Sequence, residues 1–157
     1  MNKLTEHFSL EEFVSSDYAT RNNIDNTPTL EITENLVGLC VNVLEPIRGE
    51  TGILIILSGY RCPILNKAIG GAENSQHMAL NKEAAADIRS PQMTTEQLFQ
   101  FILHLNVPYS QLICEFADSP NGGWVHVSWD ETGRHEALRA TKENGKTVYS
   151  KVDLPTV

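Results

Sequence analysis

The chain has 157 residues, a formal net charge of −8, and 41% hydrophobic and 20% charged residues. That is enough for one domain, 1–157, with a real core, and too little for two. The acidic balance and scattered Lys and Arg exclude generic nucleic-acid binding and give no support to docking on an anionic membrane, and the longest apolar run, Ile53 to Leu57, cannot span a bilayer.

The chain starts Met-Asn-Lys-Leu-Thr-Glu-His, with no apolar core region, so no secretory signal is expected. Ser9-Leu10-Glu11-Glu12 is a capping box and predicts a short helix. Asp25-Asn26-Thr27-Pro28 reads as a turn and then a helix entry, with Pro28 at the first helical position. The helix that follows places Ile32, Leu36, Leu39, Val43 and Ile47 on one apolar stripe, which Pro46 should kink or end. Ile53 to Leu57 has the length and continuity of a buried strand, and Ser58-Gly59 breaks it. Pro63 fits the first turn of a short helix through Ala68, which Gly70-Gly71 ends. Ala84 to Ile88 is a short strand, and Thr94-Thr95-Glu96-Gln97 caps a helix running to about Leu105. Gln111 to Phe116, Trp124 to Trp129, His135 to Ala140 and Lys146 to Val152 read as strands, with turns at Asn121-Gly122-Gly123 and Glu143-Asn144-Gly145. Helices first and an antiparallel meander later predict a single α+β domain.

Cys40, Cys62 and Cys114 are an odd set without a CxxC pair, which excludes a disulfide framework and a cysteine-based zinc knot. They read as buried free thiols.

His77, Asp87 and His126 come from three separate segments and form the ligand set of a catalytic zinc site with an open fourth position. His77 follows a Gly-rich connection, and Asp87 lies on a short strand. His126 shares a strand face with Trp124 and Ser128, because side chains there repeat with period two. A face bearing Trp, His and Ser is natural for the floor of a site. A bland reading stands beside this one: an exposed loop histidine and a hydrogen-bonded strand histidine. The same set also suits a non-haem iron oxygenase, although the usual His-x-Asp pair is missing. Arg61 follows the Ser-Gly break, where its guanidinium can grip a carboxylate or polarise a carbonyl. His7, His104 and His135 have no partners in a metal-ligand spacing.

Ser58-Gly59-Tyr60-Arg61-Cys62-Pro63, Asn66, Ile69-Gly70-Gly71, Ser75-x-His77, Ala85-x-Asp87 and Trp124-x-His126-x-Ser128 together resemble the zinc D-alanyl-D-alanine carboxypeptidase family. That family includes L-alanyl-D-glutamate peptidases used as phage endolysins. The resemblance runs from the Phe8-Ser9-Leu10-Glu11-Glu12-Phe13 opening to about Trp129. It implies a hedgehog- and DD-peptidase-like α+β fold, with a small antiparallel sheet flanked by helices. It also implies zinc on His77, Asp87 and His126, with Arg61 and Ser75 contacting substrate. The substrates implied are peptidoglycan stem peptides, met by a monomer without membrane insertion. Synthesis in the cytoplasm followed by phage-type release would bring such a protein to the cell wall. Many members carry the general base three residues before the last histidine, where this chain has Gly123. A subgroup instead has Glu at the end of the preceding strand, which makes Glu115 the candidate base and Asp118 the reserve.

The family pattern Ser-x-His-x-x-Gly-x-Ala-x-Asp is lengthened here by three residues, and Glu83 stands where the glycine belongs. The loop from Met78 to Ala84 is expected to add a helical turn and leave the ligand directions intact. The same insertion, with the missing acid at 123, raises the alternative of a zinc-stabilised binding module without turnover. Cys62, where serine is common, is a possible stray metal contact.

Overall fold

The computed structural model describes residues 2–154. Helix α1, Leu10–Val14, opens with the predicted capping box between Ser9 and Glu12, and α2, Asp17–Arg21, follows it directly. Helix α3, Leu30–Leu39, starts two residues later than expected. The Thr29 hydroxyl accepts from the Ile32 N–H and supplies the cap, so Pro28 stays outside the helix.

The apolar stripe is buried throughout. Pro46 neither ends nor visibly breaks the helix. A π-helical segment, Cys40–Leu44, precedes α4, Glu45–Thr51, and in it the Glu45 N–H reaches back five residues to the Cys40 carbonyl. Proline has no N–H to give and its ring crowds the carbonyl four residues back, and the widened turn just before it relieves both demands.

Strand β1 spans Ile55–Ser58 and lies at a sheet edge, so the reading of a buried strand is corrected: Ile55 and Leu57 are 45% and 46% exposed. An edge strand packed on one side satisfies the same apolar run as a central one, and sequence alone does not separate them. Helix α5, Pro63–Ala68, and a single 3₁₀ turn, Gln76–Met78, lead into β2, Glu83–Arg89. Helix α6, Thr95–His104, carries the predicted capping box at Thr94 and Gln97. The chain closes with β3, Gln111–Glu115, β4, Trp124–Asp130, β5, Glu136–Glu143, and β6, Lys146–Lys151.

The six strands form one sheet in the order β1-β2-β4-β3-β5-β6. It is mixed, which corrects the expected antiparallel sheet and meander. Strand β4 lies between β2 and β3, antiparallel to both, so neither of its edges is left for β5. Strand β5 therefore crosses to the free side of β3 and pairs with it in parallel. The β5–β6 hairpin turns at Asn144-Gly145, both at positive φ, as a two-residue type I′ loop requires.

One face of the sheet carries Ala84, Ala86, Ile88, Val125 and Val127, all fully buried in a core shared with Leu36 and Leu39 of α3 and with Leu98 and Ile102 of α6. Each large aliphatic side chain buried there contributes about 1.5–3 kcal/mol. Because strand side chains alternate, this packing commits Glu83, Ala85, Asp87, Trp124, His126 and Ser128 to the other face.

Candidate active site

That second face floors a cleft of about 650 Å³. Register pairs Ser58 with Asp87, Asp87 with His126, and His126 with Ile113, so four strands contribute one row of side chains across the floor. Glu115 lies opposite Trp124 beside that row. The wall above His126 comes from Ser75, Gln76 and His77.

His77, Asp87 and His126 each offer a ligand atom, and these atoms lie within 4.8 Å of one another. Asp87 Oδ1 is 3.3 Å from His77 Nε2 and 3.0 Å from His126 Nδ1. His77 is pinned from behind: its Nδ1 lies 2.7 Å from the Gly59 carbonyl, which can only accept, so Nδ1 carries a proton and Nε2 is the nitrogen turned toward Asp87. His126 Nε2 lies 2.9 Å from Gln76 Oε1, which turns Nδ1 toward the same carboxylate. Burial pushes the Asp87 pKa up, but the His77 and His126 imidazoles pull it below the ordinary value and keep the group ionised. Two imidazole nitrogens and one carboxylate oxygen converging in a cleft are chemically suited to a zinc ion with one position left open. Among the described residues, this is the one His/Cys/Asp/Glu group so arranged.

Arg61 lines the cleft, and its backbone is held from two sides. Its N–H donates to the His77 carbonyl at 2.8 Å, and Asn26 brackets it by donating to the Tyr60 carbonyl and accepting from the Cys62 N–H. Its buried Nε has no hydrogen-bond partner. Burial lowers the Arg61 pKa, with Asp87 and then Glu115 opposing, and the guanidinium stays charged.

Glu115 also lines the cleft. Burial raises its carboxyl above the ordinary value, His126 pulls it back and Asp87 pushes it further up. The Trp124 indole N–H exerts a small downward pull on Glu115 without closing a hydrogen bond. Asp118 is exposed and does not line the cleft. Gly123 leaves no room for a side chain on this backbone. Its φ is +59°, and a Cβ would stand 1.9 Å from the Glu115 carbonyl oxygen.

Ser75 lines the cleft while its hydroxyl accepts from the His77 N–H at 3.3 Å, so it shapes the ligand turn as well as facing the space. Cys62 is buried and caps α5 through its sulfur, outside the converging group, which removes it as a metal contact. Cys40 and Cys114 are buried free thiols as expected, the latter pushed up to about 12 by burial. His7 pairs with Glu45, His104 with the Gln100 carbonyl, and His135 stacks on Tyr109.

The inserted segment adds no helical turn, which corrects that expectation. Ala79 ends the 3₁₀ turn in the left-handed region. Asn81 and Lys82 both have positive φ, and the Glu83 N–H bonds to the Leu80 carbonyl at 3.1 Å. The insertion is thus a turn of type I′ character that feeds directly into β2. His77 and Asp87 still face one another.

Sequence reasoning missed Gln76, Glu83, Gln111, Arg134 and Tyr149, all of which line the cleft. Period two from Asp87 could have found Glu83, which is four residues earlier on the same strand face. Arg134 and Tyr149 reach the cleft through the crossover and the last hairpin, which no local pattern announces.

A mixed sheet presenting a His-Asp-His cluster beside a half-buried glutamate and an arginine fits a metal-dependent hydrolase. The Peptidase M15 family model matches residues 6–128, and the chain belongs to that family of zinc metallopeptidases. Strands β5 and β6 lie beyond the matched residues. Among curated proteins, none matches the chain.

Proposed function

We propose that the protein hydrolyses peptide bonds in peptidoglycan stem peptides, with His77, Asp87 and His126 as zinc ligands, Glu115 as general base, and Arg61 and Ser75 as substrate contacts. The observation that carries this reading is the convergence of the three ligand atoms on the floor of the cleft that Glu115 and Arg61 also line.

Zinc held by these residues would supply Lewis acidity to a scissile carbonyl and bring the pKa of water toward ~7. Glu115 would take a proton from the attacking water as the oxygen adds to the carbonyl carbon. It would then give that proton to the nitrogen as the C–N bond breaks, leaving a carboxylate and an amine. Its raised pKa suits both halves of that transfer. Arg61, with a buried nitrogen unpaired, would hold a carboxylate or the scissile carbonyl of the peptide.

Mass spectrometry of purified muropeptides after incubation with zinc-loaded protein tests the reading. Release of a stem-peptide fragment by the parent and not by Glu115→Gln is expected. Intact muropeptides that nevertheless bind the zinc-loaded protein would replace the peptidase with a binding module. Loss of activity on zinc removal with recovery by ferrous iron alone would favour an oxygenase-type metal.

A further inference from the structure

We infer that Glu83 and Arg134 together form an anchoring subsite for a zwitterionic amino-acid centre of the substrate, an ammonium and a carboxylate on one carbon. The inference rests on the peptidase reading for the substrate's path past the metal ligands, and it adds which peptides that path selects. Both side chains line the cleft, and the proposed hydrolysis uses neither.

Asp130 brings the two together. Its partner in register across the sheet is Glu83, and such partners point to the same face. Neighbouring strands lie about 4.8 Å apart, so Glu83 starts one strand spacing from Asp130. Arg134 reaches the same carboxylate from the crossover: its Nε lies 3.5 Å from Asp130 Oδ2 and donates to the Ser110 hydroxyl at 3.0 Å. Asp130 is itself fixed, because it accepts from the Thr132 N–H at 2.7 Å, from the Gly133 N–H at 3.1 Å and from the fully buried Ser110 hydroxyl. The arginine is thus held by Nε, while its two terminal nitrogens make no hydrogen bond among the described residues. A guanidinium held that way presents an open fork to a carboxylate.

Glu83 is fixed by β2 and is half-buried. The ion pair of Arg134 is with Asp130 and not with Glu83. Burial raises the Glu83 pKa, and among the charges around it Arg134 opposes that push most. A carboxylate and a guanidinium that share a wall without closing on each other suit a group bearing both complementary charges. A carboxylate alone would meet Glu83 as a like charge, and an ammonium alone would meet Arg134 as one. A peptide terminus carries only one of the two. A stem peptide built on a diamino dicarboxylic acid carries both on one carbon, at the end of a side chain, whereas one built on lysine carries only the ammonium.

Glu83 lies four residues before Asp87 on the same strand. At about 3.3 Å per residue that is about 13 Å along the floor. An extended peptide covers this distance in about four residues, and in fewer where a long side chain makes up part of the way. The zwitterion therefore belongs to a residue near the cut bond and not to the bond itself. Both members of the subsite are particular to this chain: Glu83 stands where the related pattern has glycine, and Arg134 lies beyond residue 128, where the family match ends.

The test compares three stem peptides of one sequence: the diaminopimelate form, the same peptide with its distal carboxyl amidated, and the same peptide with its distal amine acetylated. The zinc-loaded parent should prefer the first by about 10–100-fold in kcat/KM over either of the others, the range for losing one charge-assisted hydrogen bond. Arg134→Gln should lose the preference over the amide and keep the preference over the acetylated peptide. Glu83→Gln should do the converse. A merely structural role for either residue would lower all three rates together and leave both preferences standing. Equal rates on the three peptides in the parent, or variants that do not show this crossed pattern, overturn the inference. If Glu83→Gln does not fold, the parent ranking and Arg134→Gln decide. If the parent cuts none of the three, the peptidase reading fails, and calorimetric affinities of the same peptides for the zinc-loaded protein take the place of rates. The same ranking in affinity then upholds the subsite, and equal or absent binding overturns it.

Discussion

Gly123 and its neighbour Gly122 offer a paired experiment on how the chain places Glu115, the proposed base. Both have positive φ, +59° and +76°, so an alanine at either one suffers the left-handed penalty of about 1–2 kcal/mol. Beyond that they differ. A Cβ at Gly122 meets nothing within 4 Å, whereas one at Gly123 stands 1.9 Å from the Glu115 carbonyl oxygen and 2.5 Å from the Phe116 carbonyl carbon. Those are backbone atoms, which cannot swing aside. To reach ordinary contact at 3.4 Å, the oxygen must retreat from 1.9 Å by about 1.5 Å. Overpacking of that kind adds roughly 1–3 kcal/mol. Gly122→Ala should therefore cost about 1–2 kcal/mol in urea unfolding, and Gly123→Ala about 2–5 kcal/mol. The displaced carbonyl belongs to Glu115, and a misplacement near 1 Å can cost on the order of a hundredfold in rate. Gly123→Ala should accordingly lose muropeptide hydrolysis far more than Gly122→Ala while both retain zinc. Equal stability and equal activity in the two variants would refute the account of why the acid sits at 115 and not at 123.

Three further outcomes are expected. His126→Ala should abolish stoichiometric zinc in purified protein measured by elemental analysis, and full retention would remove that ligand. Glu115→Gln should keep zinc and lose hydrolysis by roughly 10²–10⁴-fold, whereas Asp118→Asn, outside the cleft, should stay near parental activity; the reverse pattern would make Asp118 the base. Glu96 is held at about 2, chiefly by its hydrogen bonds to Arg139. A depressed folded pKa stabilises fully above the ordinary value of 4.5 and loses that support as pH falls through about 2. Both partners are partly exposed, so the contribution is screened to no more than about 1 kcal/mol. Glu96→Gln should lose that contribution, no more than about 1 kcal/mol, at neutral pH, flatten the stability profile across the acid window, and converge with the parent as pH falls to about 2.

Much of this arrangement was legible in the sequence, and what was not has physical causes. The two capping boxes, the α3 stripe and the period-two face of β4 are local patterns, and each appears where it was read. Of the candidate ligand set, Asp87 and His126 were legible because strand alternation fixes side-chain direction without knowledge of strand order, whereas His77, in a 3₁₀ turn, was legible through the resemblance to a known family. Strand order itself was not legible. The crossover of β5 to the far side of β3 depends on which edge remains free after β4 has inserted, and that is decided by the whole sheet. Arg134 and Tyr149 enter the cleft only through that crossover. Pro46 misled for a different reason: its local veto on an ordinary helical bond was met by a widened turn upstream, a remedy that single-residue propensity does not contain.

The lengthened segment between His77 and Asp87 shows why a ligand pair can survive an insertion that changes the path between its members. His77 takes its direction from the Gly59 carbonyl behind its ring and from the Ser75 hydroxyl at its N–H. Asp87 takes its direction from β2, whose register with β4 is held by the alternation of Ala84, Ala86 and Ile88 into the core. Slipping β2 by one residue would bury Asp87 and expose those three, which no loop can offset. Neither anchor passes through residues 79–82, so those residues are free to change length at small entropic cost. Their last turn nonetheless sets where β2 begins, and hence that Glu83 reaches the cleft. The insertion is therefore neutral for the directions of His77 and Asp87 and consequential for which polar side chain opens β2 at the cleft.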